Sequence, residues 1–215
     1  RYRGFDGIMI ACVDFSEPEV LQLALSDIPV VTIDYIFNDR LAVVSDNAKG
    51  MEDLFTYIYQ MGHRRIAYIH GTDSFYRTAE KLGVEIPDEY VMMTRYRDTK
   101  GAGEATEKLL DLRRPPTCII YPDDFAAFGG IHVIRERGMS IPEDISIAGY
   151  DGIRLAKLTV PNLTTLCQDT QLGQYAAEKL IDLIEKPKTA MRNITIVQGK
   201  LYEGQTVLKL DGSRG

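Results

Sequence analysis

Four aspartates stand just beyond short apolar segments of the chain, and their carboxylates are the groups best suited to bind a ligand. They are Asp34, Asp46, Asp123 and Asp151. In open parallel α/β sheets, ligands bind outside the carboxyl ends of the strands, so these side chains would share one kind of location. Because a carboxylate accepts several hydrogen bonds, the four suit a ligand rich in hydroxyl donors, such as a sugar or a polyol.

The same aspartates also have structural interpretations. Asp is a preferred helix N-cap, and Asp123 and Asp124 precede a helical pattern that begins at Ala126, so capping has at least as much weight there as binding. Asp151 starts an Asp-Gly pair, which is a turn signal. It also ends the run I-P-E-D-I-S-I-A-G-Y-D at 141–151, a buried strand pattern followed by a lone carboxylate. From this segment alone, ligand contact and a turn are about equally supported for Asp151.

Strand and helix patterns alternate along the chain, which predicts an α/β fold with a parallel sheet covered by helices. Helix patterns combine apolar residues at helical spacing with glycine stops. The predicted strands are 7–13, 28–34, 41–46, 65–70, 117–121, 145–148, 193–197 and 205–210, and the predicted helices are 18–25, 49–60, 103–112, 126–137 and 172–185.

Composition narrows the class of protein. The 215 residues are 45% hydrophobic and 26% charged, which is ordinary for a soluble protein of one large domain or two small ones. A net charge of -6 argues against nucleic-acid binding by this chain itself. The cysteines Cys12, Cys118 and Cys167 are far apart in apolar runs, which favours buried thiols in a reducing compartment. With neither a membrane-length apolar run nor a signal peptide in the sequence, we expect a cytoplasmic location without membrane contact.

Catalytic signatures are missing from the sequence. It contains no G-x-S-x-G elbow, no P-loop and no G-x-G-x-x-G after a strand. The histidines His63, His70 and His132 form no constellation, and the adjacent Asp123 and Asp124 should diverge, which argues against paired acid–base catalysis. We therefore expect no enzyme, no metal and no cofactor; an α/β hydrolase-like enzyme is the alternative from another class.

Six segments, in this order and spacing, resemble the effector-binding core of lactose-repressor/galactose-repressor (LacI/GalR) transcriptional regulators. The resemblance covers nearly the whole chain, and the set is far more specific than any one segment. The segments are F-D-G-I-M-I at 5–10, V-V-T-I-D at 30–34, M-G-H-R-R-I-A-Y-I-H-G at 61–71, R-P-P-T-C-I-I-Y-P-D-D-F-A-A-F-G at 114–129, G-M-S-I-P-E-D-I-S-I-A-G-Y-D at 138–151 and P-N-L-T-T-L-C-Q-D-T-Q-L-G at 161–173.

The resemblance implies two doubly wound parallel-sheet lobes of the periplasmic-binding-protein type, joined by three crossovers. The first lobe would hold 1–46 and 166–199, and the second 47–165 and 200–210, with a polar tail at 211–215. The family's helix-turn-helix, its hinge helix and the first strand and helix of the core would precede this sequence.

The resemblance also implies a set of ligand-binding residues, which are Asp34, Asp46, Thr72, Ser74, Asp98, Asp123, Asp151 and Thr170. Three positions depart from the family. Asp98 stands where relatives often carry a stacking aromatic, and Asp123 replaces the Asn of an Asn-Asp pair. After Ser74, Phe75 follows two to three helical turns too soon, so that residues between them, where the family usually has a ligand-binding Arg, would be missing. The many carboxylates and the lack of an Arg cluster favour a neutral effector, and an Arg among the missing residues would reverse this expectation.

The function implied is a ligand-responsive repressor. A small polar effector would bind between the lobes and change operator binding by an absent N-terminal domain, with a homodimer matching a palindromic operator. The helix predicted at 172–185 has an apolar stripe wide enough for core and dimer contacts, and core alone is favoured. An exported sugar-binding protein of an ABC transporter is the alternative with the same fold.

Overall fold

The structure, a computed structural model, describes residues 4–11, 19, 22, 28–36, 41–190 and 193–211. The chain divides into two compact units. Unit 1 comprises Arg1–Asp46 and Asp169–Gln198, and unit 2 comprises Asn47–Gln168 and Gly199–Gly215. Each unit is built on a mostly parallel sheet, so the predicted α/β class is confirmed.

Ten strands, five α-helices and two short 3-10 helices make up the described ranges. The 3-10 helices are Asp88–Tyr90 and Arg154–Lys157. In chain order the other elements are β1 Ile8–Ala11, β2 Val30–Ile33, β3 Ala42–Ser45, α1 Asn47–Gln60, β4 Ile66–Ile69, α2 Asp73–Lys81, β5 Val91–Met92, α3 Thr99–Leu110, β6 Cys118–Ile120, α4 Asp124–Glu136, β7 Ser146–Asp151, β8 Thr164–Cys167, α5 Leu172–Glu185, β9 Ile194–Val197 and β10 Lys200–Tyr202.

Unit 1 contains a four-stranded parallel sheet in the order β1-β2-β3-β9. Helix α5 covers it, and the apolar stripe of the helix packs against Val31, Val43 and Val197. Two isoleucines outside that stripe, Ile181 and Ile184, are exposed. The stripe is therefore core, as the sequence favoured.

Unit 2 contains a six-stranded sheet in the order β10-β8-β7-β6-β4-β5, in which only β10 is antiparallel to its neighbour. Helices cover both faces, as the alternation within β4 shows. Ala67 and Ile69 pack with α3 and α4, whereas Ile66 and Tyr68 pack with α1 and α2. Strands buried on both faces read as continuous apolar runs, which explains the I-A-Y-I sequence of β4.

Several element predictions need correction. The segment 205–210 is not a strand but a chain that crosses strand ends, where the Thr206 hydroxyl donates to the Ile147 carbonyl at 2.8 Å; the late strand is β10. The chain leaves unit 2 after Gln168 rather than after Thr165, because β8 stays paired with β7 through Cys167. Elements α2, β5 and β8 were not predicted, and all residues of the helix predicted at 18–25 except 19 and 22 lie outside the described residues.

Within the described residues, no helix is both long enough and apolar enough to cross a bilayer. The longest helices, α1 and α5, have 14 residues each, whereas a span needs about 20.

Candidate functional site

The carboxyl ends of β4, β6, β7 and β8 lie at one edge of the unit 2 sheet, because these four strands are parallel neighbours. The chain turns sharply at this edge. His70 has φ 144° just after β4, and Asp151 has φ 95° at the end of β7. Non-glycine residues seldom adopt such angles, and they concentrate at functional sites. This edge is where ligands bind in open α/β sheets.

Asp123 is buried at this edge and engaged through both oxygens. It is the N-cap of α4, and its Oδ1 accepts from the Ala126 amide at 2.8 Å. Its Oδ2 accepts from the Arg97 amide at 2.7 Å, and only 1% of the residue is exposed. Asp123 therefore caps α4, as one of its two interpretations predicted, and also binds the loop at Arg97. A direct contact between Asp123 and a ligand stays a prediction.

Asp124 was not predicted as a site residue, yet its carboxyl group faces the turn after β7. Oδ1 accepts from the Thr165 hydroxyl at 2.6 Å, and Oδ2 accepts from the Ile153 amide at 2.8 Å. Burial raises the pKa of Asp124 to about 7, with a further contribution from the negative charge of Asp151. The sequence offered only the adjacency of two acids, which does not tell which one faces the sheet.

Asp151 is half-buried at the end of β7, where it lies opposite Cys167 in the parallel pairing with β8. The loop before α3 adds an exposed aromatic side chain, that of Tyr96. Tyr96 is 62% exposed, and its ring centroid lies 4.7 Å from that of His70. Partial burial raises the pKa of Tyr96, and the charges of Asp151 and Asp123 raise it further.

The structure shows Asp98 as a helix cap, and its contact with a ligand stays a prediction. Asp98 is the N-cap of α3, and its Oδ1 accepts from the Gly101 amide at 2.8 Å. An aromatic residue is nevertheless available, because Tyr96 precedes Asp98 by two positions and stands beside His70. In the sequence, the only indication of this role was that Tyr96 is an aromatic residue in the loop before the N-cap Asp98.

Thr72 and Ser74 lie just after β4, at the start of α2. Their hydroxyl oxygens are 3.1 Å apart, and both residues are half-buried. Helix α2 runs through Ser74 and Phe75 without interruption, and Phe75 packs against Tyr68 and Phe55. The two hydroxyls therefore have fixed positions near the carboxyl end of β4.

Three predicted residues belong to unit 1. Asp34, at φ 55°, follows β2 and is exposed, and its Oδ1 accepts from the Ser45 amide at 2.7 Å. Asp46 follows the neighbouring strand β3, and its amide donates to the Val197 carbonyl at 2.8 Å. The two aspartates thus share the carboxyl edge of the unit 1 sheet, whereas Thr170 is exposed in the loop before α5.

The fold agrees with comparisons to known proteins. The periplasmic binding protein-like domain family matches residues 55–207. The HTH-type transcriptional repressor PurR of Glaesserella parasuis is 30% identical over 194 residues, which is 84% of this chain and 57% of the relative. The probable HTH-type transcriptional repressor ExuR of Bacillus subtilis is 28% identical over 207 residues, 90% of this chain and 61% of the relative.

Solved structures agree as well. A LacI family transcriptional regulator from Enterococcus faecium, solved with bound ribose, superposes with a TM-score of 0.85 and 26% identity, covering 97% of this chain and 82% of that one. The chain is therefore a periplasmic-binding-protein-like domain. Within that class it is similar to transcriptional repressors and to regulators of the LacI family. It spans 57% and 61% of the length of the two curated relatives named above.

Proposed function

We propose that the chain is the effector-binding part of a LacI-family transcriptional repressor, and that its effector is a neutral sugar or polyol. The repressor role rests on the relatives, which are transcriptional repressors. The effector class rests on one observation, the half-buried Asp151 at the end of β7 together with the exposed Tyr96, whose pKa is raised by the charge of Asp151. Sugars present hydroxyl donors to carboxylates and apolar faces to aromatic rings.

Charge supports a neutral effector over a phosphorylated one. Asp123, Asp124 and Asp151 lie at the same edge of unit 2, and Asp34 and Asp46 lie at the edge of unit 1. Carboxylates repel anions, so a phosphosugar would need compensating cations. Enclosure of the effector by both units stays a prediction.

Coupling to DNA requires that the effector binds one conformation of the protein better than another. We propose that this difference changes the affinity of a full-length repressor for its operator DNA. A homodimer is part of the same proposal, because two copies would match a palindromic operator. Leu155, Leu158 and Val160 support it, since all three are exposed apolar residues in one short segment of unit 2.

Thermal-shift measurements with ribose, cellobiose, phosphosugars and nucleobases test the effector class. Binding raises the melting temperature by mass action, so a neutral sugar should produce the largest rise. Asp151→Asn should reduce that rise at least about threefold, the effect of losing a hydrogen bond to a charged acceptor, with little change in the unliganded protein.

Asp53→Asn is the matched control, because Asp53 is a half-buried aspartate of the same unit whose carboxylate forms an ion pair with Lys49. It should leave the sugar response unchanged. A response to nucleobases or phosphosugars alone would contradict the neutral-sugar proposal, and unfolding of the Asp151 variant would make Asp151 structural. The codons upstream of Arg1 separate the repressor from an exported binding protein, since the first requires a helix-turn-helix and the second a signal peptide.

A further inference from the structure

Asp124 is a buried acid whose hydrogen-bond partners are neutral. It is 0% exposed, and its oxygens accept from the Thr165 hydroxyl and the Ile153 amide. Within the described ranges, no lysine or arginine forms an ion pair with it. An ionised carboxylate is costly to bury without a cation, so such a group is retained only where its charge or its acceptors serve a purpose.

The acceptors of Asp124 hold the turn that carries Asp151. Asp151 and Gly152 have φ angles of 95° and 69° in succession. The Ile153 amide donates directly to Asp124, and the Gly152 amide donates to the Thr165 hydroxyl at 3.2 Å, which itself donates to Asp124. Both amides after Asp151 are therefore tied to one carboxylate. A non-glycine residue keeps a positive φ only where its surroundings enforce it.

The backbone of the strand and of the turn packs closely around the carboxylate. A Cβ added to Gly149 would lie 2.2 Å from Asp124 Oδ1, and one added to Gly152 would lie 2.3 Å from Cys167 Sγ. The strand and the turn thus approach Asp124 and β8 as closely as glycine permits. The position of Asp151 depends on what Asp124 accepts.

The charges around Asp124 favour uptake of a proton. Asp151 faces it from β7 and repels its negative charge, whereas β8 contributes the Cys167 thiol, whose pKa is raised by burial. On its own helix the neighbouring acid is Asp123, which is bonded to the Arg97 and Ala126 amides. Burial and Asp151 together raise the pKa of Asp124 to about 7, although the donors from Thr165 and Ile153 oppose the rise.

We propose that Asp124 is a proton-controlled positioning residue, which when ionised fixes Asp151 for effector binding and when protonated loosens the turn after β7. The proton comes from solvent and adds to one carboxylate oxygen, which becomes a hydroxyl donor and a poor acceptor. Thr165 and Ile153 then compete for the remaining oxygen. The effect on effector binding rests on the proposed function. Protonation of Asp124 should lower the affinity for the effector as the pH falls through about 7.

Amide NMR of the unliganded chain tests the positioning role without any effector. Between about pH 5.5 and pH 8.5, the Gly152 and Ile153 amide resonances should shift sigmoidally with a midpoint near 7. Asp124→Asn should abolish this titration while the other amides stay dispersed. Asp151→Asn should keep the titration and lower its midpoint, because it removes the like charge. Asp53→Asn, the matched control, should change neither.

A second variant keeps the test decisive if Asp124→Asn fails to fold. Thr165→Val keeps the carboxylate and removes one donor to it, so the Ile153 titration should persist with a raised midpoint. Absence of any titration at Gly152 and Ile153 in the wild-type chain overturns the proposal.

Calorimetric titration with D-ribose then tests the link to the effector. The dissociation constant should rise about fivefold to tenfold between about pH 8 and pH 6 in the wild type, which is the expected effect of one linked proton, and should stay constant in Asp124→Asn. A titrating turn with a pH-independent ribose affinity would overturn the link. A titrating turn without ribose binding would contradict the sugar proposal and support the positioning role.

Discussion

The aspartates at the edges of the two sheets differ in how deeply they are buried. In unit 1, Asp34 is exposed and accepts one amide hydrogen bond from Ser45. In unit 2, Asp123 and Asp124 are 1% and 0% exposed, and each accepts through both oxygens. The same sequence pattern, an aspartate after a strand, therefore gives an accessible acceptor in one unit and buried connections between loops in the other.

Burial decides which of these carboxylates the fold depends on. A buried donor that loses its acceptor costs about 1–3 kcal/mol, whereas an exposed one turns to water. Unit 2 should therefore lose stability when its buried edge aspartates, Asp123 and Asp124, change, whereas changes at Asp34 in unit 1 should reduce the ligand response without reducing stability. The three predictions below test this difference in order of decreasing effect.

Asp123→Asn should be the most destabilising of the three changes. An amide side chain accepts through only one atom, so either the Arg97 or the Ala126 amide loses its partner in a buried position. We expect the free energy of unfolding, measured by urea denaturation, to fall by about 2 kcal/mol. Asp98→Asn is the matched control, because Asp98 caps α3 with one bond and Asn caps as well as Asp. Equal losses for both variants would contradict the role of the second bond.

Acid should destabilise unit 2 through His63, and the effect should be smaller. His63 is 1% exposed, with Nδ1 2.9 Å from Thr117 Oγ1 and Nε2 2.9 Å from the Leu208 carbonyl. Burial lowers the pKa of His63, and the charges of Arg64 and Arg65 lower it further. The unfolded chain therefore binds the proton first, and stability falls as the pH drops below the ordinary histidine pKa of about 6.5.

His63→Gln isolates this contribution, because glutamine can keep both hydrogen bonds and does not titrate. Asp124 has the opposite effect on stability, since its raised pKa makes the folded state take up a proton first as the pH falls through about 7. Because both proteins contain Asp124, its effect cancels when their unfolding free energies are subtracted. The difference in unfolding free energy between wild type and His63→Gln, measured by denaturation at about pH 7.5 and pH 5.5, should shrink at the lower pH. A constant difference would mean that the pKa of His63 is the same in the folded and unfolded states.

The sequence predicted elements best where the apolar pattern was long. Helix α5 was predicted at its observed bounds, because its stripe spans four turns, and β4 was predicted within one residue at each end. Helix α2 was missed because it is short and polar, with only Phe75, Thr78 and Ala79 buried. The last strand was predicted at 205–210 instead of at β10, because 205–210 has the alternating pattern of a strand. In the structure, this segment forms its hydrogen bonds with the ends of other strands.

The candidate site was predicted in location and only partly in detail. Strand-end aspartates can be read from sequence, because parallel strands end at one edge. Their burial cannot, since Asp123 and Asp124 are neighbours of identical type whose roles depend on the loops that meet them in space. Tyr96 was missed because the sequence does not show that this loop residue packs beside the ring of His70.

Asp34→Asn should have the smallest effect on stability and the clearest effect on ligand response. Asn can still accept from the Ser45 amide, and the exposed side chain has access to water, so the unfolding free energy should change by less than about 0.5 kcal/mol. If the unit 1 edge takes part in effector binding, the sugar-induced rise in melting temperature should fall by about half, as expected for a weakened charge-assisted hydrogen bond. Asp6→Asn, at another exposed aspartate of unit 1, should preserve the full rise. A full rise in both variants would confine the site to the unit 2 edge, and the accessible carboxylate of unit 1 would then mark only the turn after β2.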